Sequence, residues 1–215
     1  MTWTTHLCNA GGKLNPLKDR IHEAIALVRE KVEAVARPVS LDVVVQVIPG
    51  GVIPERGFVG HTLTGDLVYL TIDPANQNLR ANMGEPFERM IAHELHHALR
   101  FGTVGYGSTL GEALVAEGLA GLFSHQLYGN APEPWEAPET SDLDHLEAAE
   151  AAWDAAAYDH RAWFFGSGDY PRWLGYRLGY RLVEAYLTAH PAQTAASLAD
   201  APAADFRSVV KSLAA

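Results

Sequence analysis

Three side chains close together carry the strongest chemical signal in this sequence: His93, Glu94 and His97, within His93-Glu94-Leu95-His96-His97. Residues four apart on an α-helix project from one face. Two imidazoles so placed can reach a single Zn²⁺, and the glutamate between them lies beside the ion's open coordination position. A carboxylate there suits a general base that takes a proton from water. On a wheel of ~100° per residue, Phe87, Met90, Ile91, Leu95, Ala98 and Phe101 make an apolar face with His93 and His97 at its edge. His96 falls toward Arg89 and Arg100, the side expected to meet solvent. A His93/His96 pair is sterically possible, but the wheel favours His97.

A catalytic zinc keeps three protein ligands and a water, so a third donor is needed, and Glu112, Glu117 and His125 are the candidates. Thr109-Leu110-Gly111-Glu112 reads as a capping box, which gives Glu112 a structural task. Glu117 stands in Val115-Ala116-Glu117-Gly118-Leu119-Ala120-Gly121, inside a helix apolar nearly all round. Burying an unpartnered carboxylate there costs several kcal/mol, by order of magnitude, and a bound dication offsets that cost. Glu117 is therefore the expected third ligand. Gly118 and Gly121 weaken a helix interior, so their presence points to close approach of another backbone or to a site requirement. The linker from Gly102 to Gly107 is glycine-rich enough to reverse the chain.

The elements that must position these groups follow from periodicity. Apolar residues from Leu17 to Val35 recur at three and four, predicting an amphipathic helix over Pro16–Arg37. Strands are expected at Leu41–Ile48, Gly57–Leu63 and Leu67–Ile72. Helices are expected at Pro86–Phe101, Leu110–Tyr128, Asp142–Tyr158, Pro171–Ala189 and Ala204–Leu213. The proline-rich segment Asn130–Thr140 reads as an extended surface connection. Sheet first and helices after imply an α+β fold: a small N-terminal sheet with a helix packed on it, then a mostly helical part. At 215 residues one domain is expected, with residues 1–80 as the helix-plus-sheet lobe and 81–215 as the helical lobe carrying the metal site.

Composition narrows the partners. There are 26 acidic and 16 basic residues, a net charge of −10, and no basic run, so nucleic acid is not an expected partner. Cys8 is the lone cysteine, which excludes an internal disulfide framework and weakly favours a reducing compartment. The N-terminus has no basic start followed by an apolar run, and no stretch has the ~18–20 apolar residues of a membrane span. A cytoplasmic protein without a membrane partner is expected. A Ser-His-Asp reading fails for want of a glycine-flanked nucleophile, and phosphate-binding glycine loops are absent.

With these residues in view, the sequence resembles the gluzincins, zinc proteases whose paired-histidine helix is followed by a glutamate ligand on a second helix. Ala116-Glu117-Gly118-Leu119-Ala120 is similar to the ligand segment of aminopeptidase N relatives, and Tyr176-Arg177-Leu178-Gly179 to their later Tyr-x-x-Gly segment. Most closely, the chain resembles a small bacterial family of predicted zinc-dependent proteases with a His-Glu-x-His-His core and a Glu-Gly-Leu-Ala segment. That resemblance implies a zincin-like fold and makes Tyr176 the expected transition-state donor, ahead of Tyr158, Tyr170 and Tyr180. Thermolysin-like enzymes carry an aspartate one turn beyond the third ligand, but this chain has Gly121 there. It also lacks the Gly-x-Met-x-Asn strand by which aminopeptidases hold a free amino terminus, so an endopeptidase is the expected activity.

The expectation is a zinc metallopeptidase acting on peptide or protein substrate. His93, His97 and Glu117 would hold Zn²⁺, Glu94 would be the general base, and Tyr176 would donate to the oxyanion. A peptide would lie along an edge strand, with Gly57–Leu63 and Leu67–Ile72 as candidates. Asp159-His160-Arg161 reads as a loop charge cluster or, alternatively, a substrate contact. His6, His22, His61, His145 and His190 read as surface or structural residues. The competing classes are a zinc-binding regulatory protein without turnover and a hydrolase of non-peptide substrates on the same scaffold.

Overall fold

A computed structural model describes residues 2–129 and 131–214; Met1, Asn130 and Ala215 lie outside the described residues. The fold is α+β. The chain divides into two compact units, residues 1–102 and 103–215.

The first unit holds strand β1 (Trp3–Leu7), helix α1 (Lys18–Glu33), strands β2 (Leu41–Val47), β3 (Phe58–Thr64) and β4 (Leu67–Ile72), the short helix α2 (Leu79–Asn82) and helix α3 (Glu85–Phe101). The sheet order is β1-β2-β4-β3, with β1 and β4 parallel to β2 and β3 antiparallel to β4. The strand β1 escapes periodicity because it has five residues, of which Thr4, Thr5 and His6 are polar. Parallel pairing to β2, from Trp3 opposite Leu41 to Leu7 opposite Val45, makes it a strand. The α1 helix buries Ile21, Ala24, Ile25, Val28 and Val32, as their spacing requires. It stops at Glu33, before Pro38, which leaves Val35 exposed and outside the expected stripe.

Helix α3 packs against α1 and β3. Phe87, Ile91, Leu95 and Leu99 are buried on it, and the Phe87 ring meets Phe58 of β3 edge-on at 5.1 Å. Polar ties from α1 and from the segment that follows it hold α3. Arg20 Nε donates to the Met83 carbonyl at 2.7 Å, and its guanidinium also pairs with Glu88. Arg37 donates to the Leu99 carbonyl. Both arginines thus act on α3 from outside it, one near each end.

The second unit is helical: α4 (Leu110–Tyr128), α5 (Leu146–Ala151), α6 (His160–Phe165), α7 (Leu174–Ala189) and α8 (Arg207–Ala214), with 3₁₀ turns at Thr140–His145 and Ala203–Phe206. Helices α4 and α7 pack against each other with almost no side chain between them at one point. A Cβ added to Gly118 would lie 2.0 Å from the Gly179 carbonyl oxygen, and one added to Gly179 would lie 2.3 Å from that of Leu114. The backbone approach expected at Gly118 is therefore present, and its partner is the glycine that ends Tyr176-Arg177-Leu178-Gly179.

The expected helix over Asp142–Tyr158 is broken, and the cause is the start of α4. Leu110 and Gly111 stand in the first turn of that helix, where backbone N–H groups have no partner within the helix. They donate to the carbonyls of Ala155 and Trp153, at 3.2 and 2.9 Å. With those carbonyls taken by α4, α5 ends at Ala151, despite the alanine-rich sequence that favours helix. Before α5, Asp142 leaves the α pattern for a 3₁₀ turn and is fully buried. It accepts bonds from Arg177 Nε at 2.9 and 3.0 Å.

Candidate metal centre

Gly84 precedes α3 and Pro86 is its second residue, in the first turn where a missing N–H costs nothing. From that start the helix carries His93 and His97 on one face, with their rings edge-on at a centroid distance of 4.8 Å. His93 Nε2 and His97 Nε2 stand 3.1 Å apart. Two donors bound to one tetrahedral zinc at about 2.0–2.1 Å are separated by about 3.3 Å, so this spacing fits two ligands of one ion. His93, His97 and Glu117 each offer a ligand atom, and these atoms all lie within 4.8 Å of one another. Two imidazoles and a carboxylate are a donor set that zinc accepts.

Glu94, next to His93 in the helix, is buried and held from β3. Thr62 Oγ1 lies 2.7 Å from Glu94 Oε2 and 2.7 Å from the Glu94 carbonyl. Gly60, two residues earlier on the same face of the strand, leaves the space in which the Glu94 side chain lies. A Cβ there would come 2.2 Å from Glu94 Cγ. Neither residue stands out in the sequence, because their task depends on β3 lying against α3.

His96 corrects the wheel. It is fully buried, and Arg89 and Arg100 are buried too, on the side expected to meet solvent. A wheel equates charge with exposure, whereas a charged stripe can be buried when its members have partners, as all three residues have.

In the second unit, Glu117 is buried on α4 and accepts a hydrogen bond from Tyr106 Oη at 2.7 Å. Burial, then the charge of Glu117, then neighbouring Tyr176, push the Tyr106 hydroxyl well above its ordinary pKa, so it stays a donor. Tyr106 lies between Gly105 and Gly107, both at positive φ, in a stretch that as sequence looks like a turn and nothing more. The other two candidate ligands have different partners. Glu112 Oε2 accepts from the backbone N–H of Ser108 and Thr109 at 2.7 and 2.9 Å, completing the expected capping box. His125 Nδ1 bonds to the Tyr180 hydroxyl.

Tyr176 is half-buried among aromatic rings, edge-on to Phe164 at 5.1 Å and to Trp173 at 5.7 Å. Trp173 opens α7 with φ of +72°, a left-handed conformation that is strained for a side chain of its size. Tyr170 stacks on Trp163 at 4.2 Å. Tyr158 bonds to His160 Nδ1 at 3.0 Å, and its hydroxyl is pushed up to about 12 by burial and by Glu117 and Glu112. Asp159 and His160 form no loop cluster: Asp159 caps α6 by accepting from Ala162 N–H at 3.0 Å. The His160 pKa is lowered by burial, against the opposing pull of Glu117 and Asp159. His6, His145 and His190 have structural partners in Asp42, Tyr170 and Tyr186.

Gly121, one turn beyond Glu117, faces an acid from another part of the chain. A Cβ at this glycine would lie 2.8 Å from Glu136 Oε1. The segment expected to be an extended surface connection thus turns inward, burying Glu133 and Glu136; Asn130, at its start, is outside the described residues. Glu136 Oε2 accepts from the Glu133 backbone N–H at 3.1 Å.

The fold and its donor set define an α+β chain with a His/His/Glu cluster compatible with a metal ion. This chain belongs to the family described as Predicted Zn-dependent protease (DUF2268), whose model matches residues 17–208. It is similar to two Bacillus subtilis (strain 168) proteins, both described as uncharacterized. The first, YjaZ, is 26% identical, over 68% of this chain and 72% of YjaZ. The second, YjfC, is 28% identical, over 63% of this chain and 50% of YjfC. No solved structure matches. Among the described residues, no helix is long and apolar enough to cross a membrane.

Proposed function

We propose that this chain is a zinc-dependent endopeptidase of zincin-like fold, in which His93, His97 and Glu117 hold the metal. The observation that carries this reading is the convergence of those three donors within 4.8 Å, together with a buried carboxylate, Glu94, between the two histidines in sequence. When bound, zinc lowers the pKa of a coordinated water and polarises a substrate carbonyl. Glu94 takes a proton from the attacking water and passes it to the departing amine. The Tyr176 hydroxyl donates to the oxygen that gains charge as the carbonyl carbon becomes tetrahedral. Tyr106 holds Glu117 in the orientation its role as ligand demands.

Substrate reaches the site as an added strand. Of the two candidate strands, β4 lies between β2 and β3, whereas β3 is at the edge. Among the described residues, the outer side of β3 carries one isolated bridge, from Ile53 to Phe58. A peptide paired to the remainder gains main-chain hydrogen bonds with little demand on its sequence. The net charge of −10 disfavours nucleic acid as substrate or partner, and the lone Cys8 suits a cytoplasmic setting.

The test combines metal analysis with hydrolysis of casein and quenched peptides by the wild type and by Glu94→Gln. Equal zinc in both proteins, with turnover by the wild type alone, is the expected result. Equal zinc with no turnover by either across a broad peptide panel overturns the proposal.

A further inference from the structure

Strand β3 forms a socket around Glu94. Phe58, Gly60 and Thr62 alternate along the strand and so share one face, and contacts from all three reach α3. Gly60 supplies space: besides the approach to Glu94 Cγ, a Cβ there would lie 2.7 Å from Glu94 Cδ and 2.6 Å from Met90 Sδ. The glutamate stem therefore rests on bare strand backbone. Thr62 supplies the polar contact, being itself buried with Oγ1 equally close to a carbonyl and a carboxylate oxygen. One hydroxyl has one proton, and a charged acceptor binds it more strongly than a neutral one. With Glu94 in the carboxylate form that a general base requires, the proton goes to Oε2. Directly after Thr62 the ladder shifts register between Thr62 and Thr64, a bulge of the kind that re-aims a side chain.

On the reading of Glu94 as general base, we infer that Thr62 is a positioning residue for that base and that Gly60 gives it room. Thr62 fixes one carboxylate oxygen and leaves the other to meet the water. Because a hydroxyl both donates and accepts, the contact survives when a proton passes to the carboxylate. The strand proposed to receive the peptide also holds the base, so substrate register and base geometry are set by one backbone.

Thr62→Val keeps the branched shape suited to a strand and removes the hydroxyl, whereas Thr62→Ser keeps the hydroxyl. The expected result for Thr62→Val is unchanged zinc content, KM within about twofold of wild type, and kcat lower by about 10–100-fold, the scale of a misplaced catalytic group. Thr62→Ser should recover kcat to within about threefold. Gly60→Ala, which retains the hydroxyl but fills the stem's space, should show the same selective loss of kcat. Crystal structures of the zinc-loaded Thr62 variants give a readout independent of turnover. The Glu94 carboxylate should leave its place in Thr62→Val and keep it in Thr62→Ser. A Thr62→Val protein with wild-type kcat, or with the carboxylate unmoved, overturns the inference, as does a Thr62→Ser protein as impaired as the valine variant. A zinc-loaded wild type that cleaves no peptide refutes the proposed activity instead, and the carboxylate position alone then decides the role of Thr62.

Discussion

Gly118→Ala sets two effects of known sign against each other. In an exposed helix the change stabilises by about 1 kcal/mol, because alanine has the better helix propensity. Here the new methyl would lie 2.0 Å from the Gly179 carbonyl oxygen, 2.4 Å from its carbon and 2.9 Å from Val183 Cγ2. Ordinary contact begins near 3.4 Å, so α4 and α7 must part by more than 1 Å at this point. Two of the three atoms are backbone and cannot rotate away. Overpacking a well-filled interior costs about 1–3 kcal/mol, and an obstruction made of backbone belongs at the top of that range. The net expectation is a destabilisation of about 2 kcal/mol, which for a chain of this length lowers Tm by about 4–8 °C. Scanning calorimetry of the variant beside the wild type measures it. Gly11→Ala is the control, since nothing lies within 4 Å of a Cβ there and φ is not positive, and its Tm should stay with that of the wild type. A Gly118→Ala protein as stable as wild type, or more so, would show that helix propensity wins and that the close crossing of α4 and α7 is not tight.

Four further outcomes follow from side chains with defined partners. Glu117→Ala should lower zinc affinity by more than about 100-fold in competition with a chelator. Glu112→Ala should leave zinc bound and cost about 1 kcal/mol of stability through loss of the α4 cap; zinc lost in the second variant and not the first would reverse the ligand assignment. Tyr106→Phe removes the hydroxyl that donates to Glu117 and should weaken zinc binding by about 10–100-fold without unfolding the protein, as read by metal titration and circular dichroism. Asp142→Ala strands the buried Arg177 guanidinium, which now reaches Asp142 Oδ1 at 2.8 Å, and should cost about 3–5 kcal/mol in urea denaturation. A loss below about 1 kcal/mol would show that solvent or another carboxylate relieves the charge.

What the sequence reveals about this molecule divides along a physical line. Features set by neighbours within one helix were legible: the apolar stripe of α1, the start of α4 at Thr109, and the single face shared by His93 and His97. Glu117 was legible for an energetic reason, since a carboxylate in an apolar helix demands a partner, although Tyr106 as its donor was not. Features set by pairing across long stretches of chain were hidden. The β1 strand exists because Leu41–Val45 receives it, and α5 stops early because the N–H groups of α4 need carbonyls some forty residues away in the sequence.

The candidate site shows the same division at finer scale. His93, Glu94 and His97 announce themselves because their spacing is local. Thr62 and Gly60 look like ordinary strand residues, and their significance arises when β3 takes the sheet edge and lies against α3. Gly121 makes the point in reverse. Read along the helix, it is an acid missing one turn beyond Glu117; in the folded unit, the Glu136 carboxylate occupies the space that a side chain at 121 would have filled. A glycine among apolar residues therefore reserves a position as much as it leaves one empty. The same logic governs Gly118, Gly179 and Gly60, where the group admitted is a carbonyl in two cases and the stem of Glu94 in the third. Substitution by alanine tests each reservation separately: loss of stability alone marks a helix contact, whereas loss of kcat with zinc retained marks the seat of the proposed base.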